Sequence, residues 1–305
     1  MSSSFGQFDL AGFPKAPAFW FRQQWLSAIP ASDAGRPPIA APAAATTVRI
    51  VENWAPGTDG GLRTINVYTN APAARLRVNG AVLANSTIAV KGGIATWRAV
   101  VFVAGTLTAD ALAADNATVL ASHSRASWGA GASLALSLDA PSLATGTGAA
   151  LYLDGADVAL VRATVLDAAG VACASCVDNI TFAVTEGPGL FVGCGNGDPA
   201  NQDPNEALWK PAYHGLVRAV VRVTLDGATP DAVRARRAAI ELDAGKGPRS
   251  SAIMPVGATP PTRLVVTASA PGMATATLII PLSVAPADAP LAVAAASVAL
   301  ADITA

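Results

Sequence analysis

Few residues in this chain are both chemically capable and suitably spaced. Cys173-Ala-Ser-Cys176 is a C-x-x-C, which in a redox site sits at a helix N-terminus that lowers the thiol pKa. A strand-like run, NITFAV, follows instead, so the reading here is a β-hairpin tip that tolerates cysteine. Cys194 stands alone, and three cysteines make no disulfide framework and no second pair for a zinc knuckle. His123 and His214 lie far apart and lack metal-ligand spacing, so each reads as a structural or surface histidine. GCGNGDP at 193–199 is glycine-rich, but a dinucleotide fingerprint must open an apolar-periodic helix, and NQDPNEALWKP is not one. Its glycines read as a tight loop that needs positive φ.

Glycoside hydrolysis needs two carboxyls about 5–10 Å apart across the bond. The four glutamates are Glu52, Glu186, Glu206 and Glu241, and no pair stands out. Asp154, Asp167 and Asp226 sit in turn-like contexts, where aspartate is favoured without catalysis. The serine-hydrolase elbow G-x-S-x-G is absent. The residues themselves therefore assign no catalytic, cofactor-binding or metal-binding position.

The elements around these residues are mostly strands. Across 305 residues about half are apolar and 13% are charged, with a net charge of −1. That balance gives no long-range attraction for nucleic acid or an anionic membrane. No stretch reaches the roughly 18–20 apolar residues of a membrane span, and no signal peptide opens the chain. The reading is a soluble chain whose compartment is left open.

From residue 47 short β-type runs recur about every ten residues. TTVRIVENW and LRTINVYTN alternate, and ARLRVNGAVLA has two alternating arms joined at Asn79-Gly80, the favoured type I′ turn. A turn is expected at Asp115-Asn116. A second β block begins near 132 and runs through ADVALVRATVLD, NITFAVTEG, LFVGCGNG, YHGLVRAVVRVTL and TRLVVTASAPGMATATLIIPL. The expected fold is all-β: two consecutive Ig-like antiparallel β-sandwiches, at 47–129 and 130–285. Residues 226–261 are read as an insertion that is either helical over 229–245 (Thr229 as N-cap, Pro230 first, Gly245 as stop) or disordered. A Pro/Ala linker fills 29–46, and 286–305 reads as a flexible tail. Asn85, Asn116 and Asn179 open glycosylation sequons, which matter only in a secretory pathway.

The N-terminus is the anomaly. Phe5, Phe8, Phe13, Phe19, Trp20, Phe21 and Trp25 crowd into 25 residues, where chain ends are ordinarily polar. Residues 15–26 read as a helix whose apolar side chains point all round, so that it is expected to be surrounded on several sides.

SSFGQFDLAGFPKAPAFWFRQQWL resembles the closing segment of the catalytic (β/α)8 barrel of family 2 glycoside hydrolases, where F-G-x-x-D-x-A-G-F-P-K leads into the last helix. VRIVENWAPGTDGGLRTINVYTNAPAARLRVNGAVL resembles the sandwich that follows that barrel. E-G-P-G-x-x-x-G-x-G-N-G-D-P with a later H-G-L resembles a further Ig-like domain of the same family. The resemblance spans roughly 2–225 and 262–282, and makes residues 1–28 a remnant of the barrel end.

In that family the two catalytic glutamates lie upstream of the F-P-K run, so the resemblance implies a non-catalytic accessory segment of a β-galactosidase-like enzyme. Asn205-Glu206 repeats the family's acid/base dipeptide but stands in a late loop without a catalytic role. The implied partner is the missing catalytic barrel, or another subunit, reached through the aromatic helix. The alternative is a stand-alone carbohydrate-binding or adhesion module in which Trp54, Trp97, Trp128 or Trp209 stacks on sugar; a buried tryptophan argues for packing instead. A purely structural part without a ligand is the third reading.

Overall fold

A computed structural model of the chain describes residues 6–28, 46–139, 151–152, 157–224 and 262–283. The insertion, its expected helix at 229–245, the tail and all but the last residue of the linker lie outside the described residues. The chain divides into two compact units: 1–130 with 167–174 and 197–200, and 131–166 with 175–196 and 201–305.

The first unit opens with a loop and then α1 (Ala16–Ala28). Pro17 is tolerated because the first-turn N–H groups have no intrahelical partner to lose. The sandwich follows: β1 (Val48–Ile50), β2 (Leu62–Thr69), β3 (Ala73–Val78), β4 (Ala81–Val82), β5 (Ile88–Ala89), β6 (Ile94–Val101), β7 (Thr106–Leu112) and β8 (Val119–Ala126). One sheet runs β1-β2-β6. The other runs β4-β3-β7-β8, with β5 also paired to β3, and every pairing in both is antiparallel.

Alternation in β2 and β3 sends every second side chain inward. The core takes Ile50, Ile65, Val67, Ala95, Trp97 and Val100 from the first sheet and Ala74, Leu76, Val78, Leu107 and Ala109 from the second. Trp54 and Phe102 pack at 4.8 Å between ring centroids, with the Arg63 guanidinium 4.1 Å above Phe102. Both indoles that enter this core keep a hydrogen-bond partner: Trp54 Nε1 donates to Val103 O (3.1 Å) and Trp97 Nε1 to Ser86 O (2.7 Å).

Turn chemistry closes the hairpins where the sequence marks them. Asn79 and Gly80 both have positive φ (50° and 83°), as a type I′ turn demands. Asp115 caps the β7–β8 turn, accepting from Ala117 N, Thr118 N and Thr118 Oγ1, and these bonds hold its pKa down at about 2.

The free edge of β3 is covered in pieces. β4 pairs with Arg77 and Val78, and β5 with Ala73 and Ala74. Between them Leu83 N donates to Leu76 O, and the Ser86 hydroxyl reaches the same carbonyl at 3.0 Å.

The second unit holds β9 (Gly131–Leu138), β10 (Leu151–Tyr152), β11 (Val158–Asp167), β12 (Asn179–Glu186), β13 (Gly189–Gly195), β14 (Trp209–Pro211), β15 (Leu216–Val223), β16 (Arg263–Ser269) and β17 (Ala276–Ser283). Its sheets run β10-β17-β16-β12-β14 and β13-β15-β11-β9. Its core is drawn from both: Ile180, Phe182, Leu264, Val266 and Ile280 from one, Val161, Ala163, Val217, Ala219 and Val221 from the other.

Both units are thus β-sandwiches. One pairing departs from the antiparallel expectation: Leu151–Tyr152 lies parallel to Leu282–Ser283. Sequence separation that large allows the crossover that a parallel pair needs.

Candidate functional site

The aromatic helix is seated on its own sandwich. The Arg49 guanidinium of β1 lies 3.9 Å from the Phe19 ring centroid, a cation–π contact. Gln23 Nε2 donates to Gly93 O at 3.1 Å. Among the described side chains of α1 the most deeply buried is this glutamine, 2% exposed, while Trp25 is 60% exposed. In the preceding loop Phe13 is buried, but Phe8 and Leu10 face outward at 54% and 63%. Part of the expectation of a surrounded helix is therefore met within the chain, on the β1–β2 side. A second apolar surface stays uncovered among the described residues.

The loop before α1 is built on one carboxylate. Asp9 Oδ1 accepts from Ala11 N and Phe13 N, both at 2.9 Å. Within the same unit Gly197, with φ +81°, packs directly on the Asp9 carboxylate, and any Cβ at 197 would collide with it. The D-x-A-G-F run and the G-N-G-D-P run thus have a shared physical reason for their glycine and aspartate.

Beneath α1, β1 and β8 meet through a histidine. Ile50 N donates to His123 Nδ1 at 3.2 Å, so the ring is a neutral tautomer with its proton on Nε2. Burial, then the charges of Arg49 and Arg125, push the His123 pKa down to about 3. Burial and Arg125 push Arg49 down to about 9, and burial lowers Arg125. His123 is therefore structural, as the sequence implied, but it sits between two arginines that the sequence reading did not single out. Arg125 shares the register of His123 on β8, alternating with exposed Ser122 and Ser124, whereas Arg49 alternates with the core-facing Val48 and Ile50 on β1 and lies against Phe19; no local pattern in the sequence pointed to the pair.

The other candidates are dispersed. His214 is exposed, with φ 53°, and with Gly215 (φ 73°) forms the tip of a two-residue hairpin closed by reciprocal Tyr213–Leu216 bonds. The H-G-L run is that turn. Cys173 and Cys176 flank a turn between β11 and β12 and are disulfide-bonded, which corrects the reading of a tip with mere tolerated thiols. Cys194 is a buried free thiol whose pKa burial pushes up to about 11.

No helix follows Gly195–Pro199. Instead Asn196 Nδ2 donates to Pro211 O at 2.9 Å, and the buried Lys210 Nζ donates to Asn201 Oδ1 and to Asp203 O, pinning the loop. Glu206 is exposed in that loop. Glu52 accepts from Asn66, and Glu186 pairs with Arg263. Asp167 caps a turn, accepting from Gly129 N, Ala169 N and Val171 N. Glu241, Asp154 and Asp226 lie outside the described residues. Trp54 and Trp97 are buried, Trp128 is half-buried, and Trp209 is 39% exposed. Among the described residues no His, Cys, Asp and Glu side chains cluster as a metal site, and no helix is long and apolar enough to cross a membrane.

The glycoside hydrolase family 2 C-terminal domain 5 profile matches residues 145–241, and a domain family of unassigned function, DUF4982, matches 60–120. The β-galactosidase BoGH2A of Bacteroides ovatus is 25% identical over 226 residues, 72% of this chain and 23% of its own length. Residues 145–241 match a C-terminal domain of glycoside hydrolase family 2. A β-glycosidase from Bacteroides vulgatus superposes on 92% of the chain with a TM-score of 0.65 at 18% identity, over 28% of its own length. A glycosyl hydrolase family 2 member from Bacteroides cellulosilyticus covers 91% with a TM-score of 0.62 at 18% identity, over 32% of its length. The chain therefore spans 23–32% of the length of these relatives, and it shares the fold of the two structures.

Proposed function

We propose that the chain is a non-catalytic accessory segment of a β-galactosidase-like glycoside hydrolase, bracing or completing a catalytic domain. The observation that carries this reading is the half-covered aromatic helix. α1 is fixed to its sandwich by Arg49 and Gly93, which sets its direction. Phe8, Leu10 and Trp25 are held outward in the same short segment. Burying one such side chain is worth about 2–3 kcal/mol, so three together form an anchor suited to a large apolar partner surface. The partner is a family 2 catalytic barrel.

The test has two arms. The purified chain alone is expected to leave a chromogenic β-galactoside unhydrolysed; turnover by the chain would overturn the reading. Mixed with a family 2 β-galactosidase catalytic polypeptide truncated before its C-terminal sandwiches, it is expected to co-elute and raise activity. Trp25→Ser with Phe8→Ser is expected to abolish both effects. The stand-alone carbohydrate-binding alternative loses two of its four stacking candidates, since Trp54 and Trp97 are core residues.

A further inference from the structure

The outward face of the β3-β7-β8 sheet is polar, and its register sets out two rows of three side chains. Arg75, Asp110 and Ser122 stand opposite one another in the first row; Arg77, Thr108 and Ser124 form the second. Core residues Leu76, Ala109 and Ala111 alternate with them on the inward face.

Asp110 is fully buried at the centre. It accepts from Arg75 Nε (3.0 Å), Arg77 Nε (2.9 Å), Arg77 Nη2 (2.7 Å) and the Ser122 hydroxyl (2.7 Å). Thr108 and Ser124 bond each other at 2.9 Å. Burial works to raise the Asp110 pKa, but the bonds from Arg77, Ser122 and Arg75 outweigh it, so the carboxylate stays charged.

One guanidinium neutralises one carboxylate. Here a single carboxylate orients two, which leaves the face with a surplus positive charge. Arg75 reaches Asp110 only through Nε, so both of its terminal nitrogens are unused among the described residues. The Arg75 and Arg77 side chains are 23% and 31% exposed, open enough to reach and held enough to be pre-oriented. A planar fork held in place is suited to bidentate recognition of a carboxylate. Ser122 and Ser124 beside it are exposed residues; the Ser122 hydroxyl, its proton committed to Asp110, keeps lone pairs that accept from a sugar hydroxyl, and the Ser124 hydroxyl, paired with Thr108, adds a second polar group.

We infer that this face is a binding site for a carboxylate-bearing glycan, a chain of uronic acid residues. The carboxylate docks on the Arg75 terminal nitrogens, and the neighbouring sugar hydroxyls lie along Ser122 and Ser124. The inference is independent of the accessory reading, since none of these residues belongs to the α1 surface.

Affinity gel electrophoresis of the full chain tests it, with gels containing polygalacturonate, neutral galactan or polyglutamate. Retardation is expected in polygalacturonate alone. Arg75→Gln leaves Arg77 and Ser122 on Asp110 and is expected to weaken binding about tenfold or more, the scale of one lost charge-assisted contact. Ser124→Ala serves as a second, milder variant with a smaller loss. Absence of retardation in polygalacturonate would overturn the inference. So would equal retardation in polyglutamate, which would mark the face as a site for acidic polypeptide, or undiminished binding by both variants.

Discussion

The backbone N–H of Ile50 and the Nδ1 of His123 bond at 3.2 Å, and this bond joins an edge strand of one sheet to an edge strand of the other. It exists only while the imidazole is neutral, because a protonated Nδ1 has no lone pair to offer. Two arginines beside it penalise protonation further.

Stability is therefore expected to depend on pH in a definite direction. An unfolded histidine titrates near 6.5, whereas folded His123 does so at about 3. Above pH 6.5 the ring is neutral in both states and contributes no slope. As pH falls from 6.5 towards 3 the unfolded chain takes up the proton first, so stability drops by at most about 1.4 kcal/mol per pH unit, then levels off. Urea midpoints at a series of pH values read this slope. His123→Gln, which can still accept from Ile50 N, is expected to flatten it; a variant with the wild-type slope would assign the effect elsewhere.

Gly197→Ala is expected to destabilise the first unit by about 1–3 kcal/mol, since the new Cβ demands both a strained positive φ and the space of the Asp9 carboxylate. Asp9→Ala removes the acceptor for Ala11 N and Phe13 N and is expected to speed proteolytic cleavage around residues 9–13. In the double variant the two losses are expected to add to less than their sum, because the collision disappears with the carboxylate. Strict additivity in thermal unfolding would show that the two residues do not touch.

The tryptophans are expected to separate sharply. Trp54→Ala empties the centre of the first sandwich and is expected to cost about 3–5 kcal/mol. Trp209→Ala, on an edge strand with an exposed ring, is expected to cost no more than about 1 kcal/mol. Denaturant midpoints distinguish the two.

Thiol labelling checks the cysteines. Under denaturing, non-reducing conditions the chain is expected to take up one equivalent of alkylating agent, at Cys194, and three after reduction. In the native state Cys194 is expected to react slowly, since burial keeps its thiol protonated. Replacing Cys173 and Cys176 by serine opens a very short loop, and the loss is expected to be about 2 kcal/mol.

Local features of this fold are readable in the sequence because their causes are local. Asn79-Gly80 selects its turn through two backbone dihedrals, and alternation in LRTINVYT selects its face through pleat geometry. The same holds for Asp115, whose cap spans three residues. The helix at 16–28 is legible as a helix, but not its orientation. Composition favours burying Trp25, yet Gln23 is the side chain turned inward, to the Gly93 carbonyl 70 positions away. The pairing of Ile50 with His123 spans 73 positions, and the grouping of Arg75, Arg77 and Asp110 depends on strand register. Neither leaves a trace in neighbouring residues. The Cys173–Cys176 bond was hidden for the opposite reason: its spacing was visible, but proximity in sequence does not say whether two sulfurs are joined.

The patchwork along β3 bears on how copies of this protein behave at high concentration. A strand rim recruits another chain when it offers a continuous row of vacant amides and carbonyls. Here two dipeptide strands and a serine hydroxyl occupy that row from both ends, so an incoming strand finds no run long enough to nucleate on. Fibrillar assembly of this sandwich would have to start at some other rim.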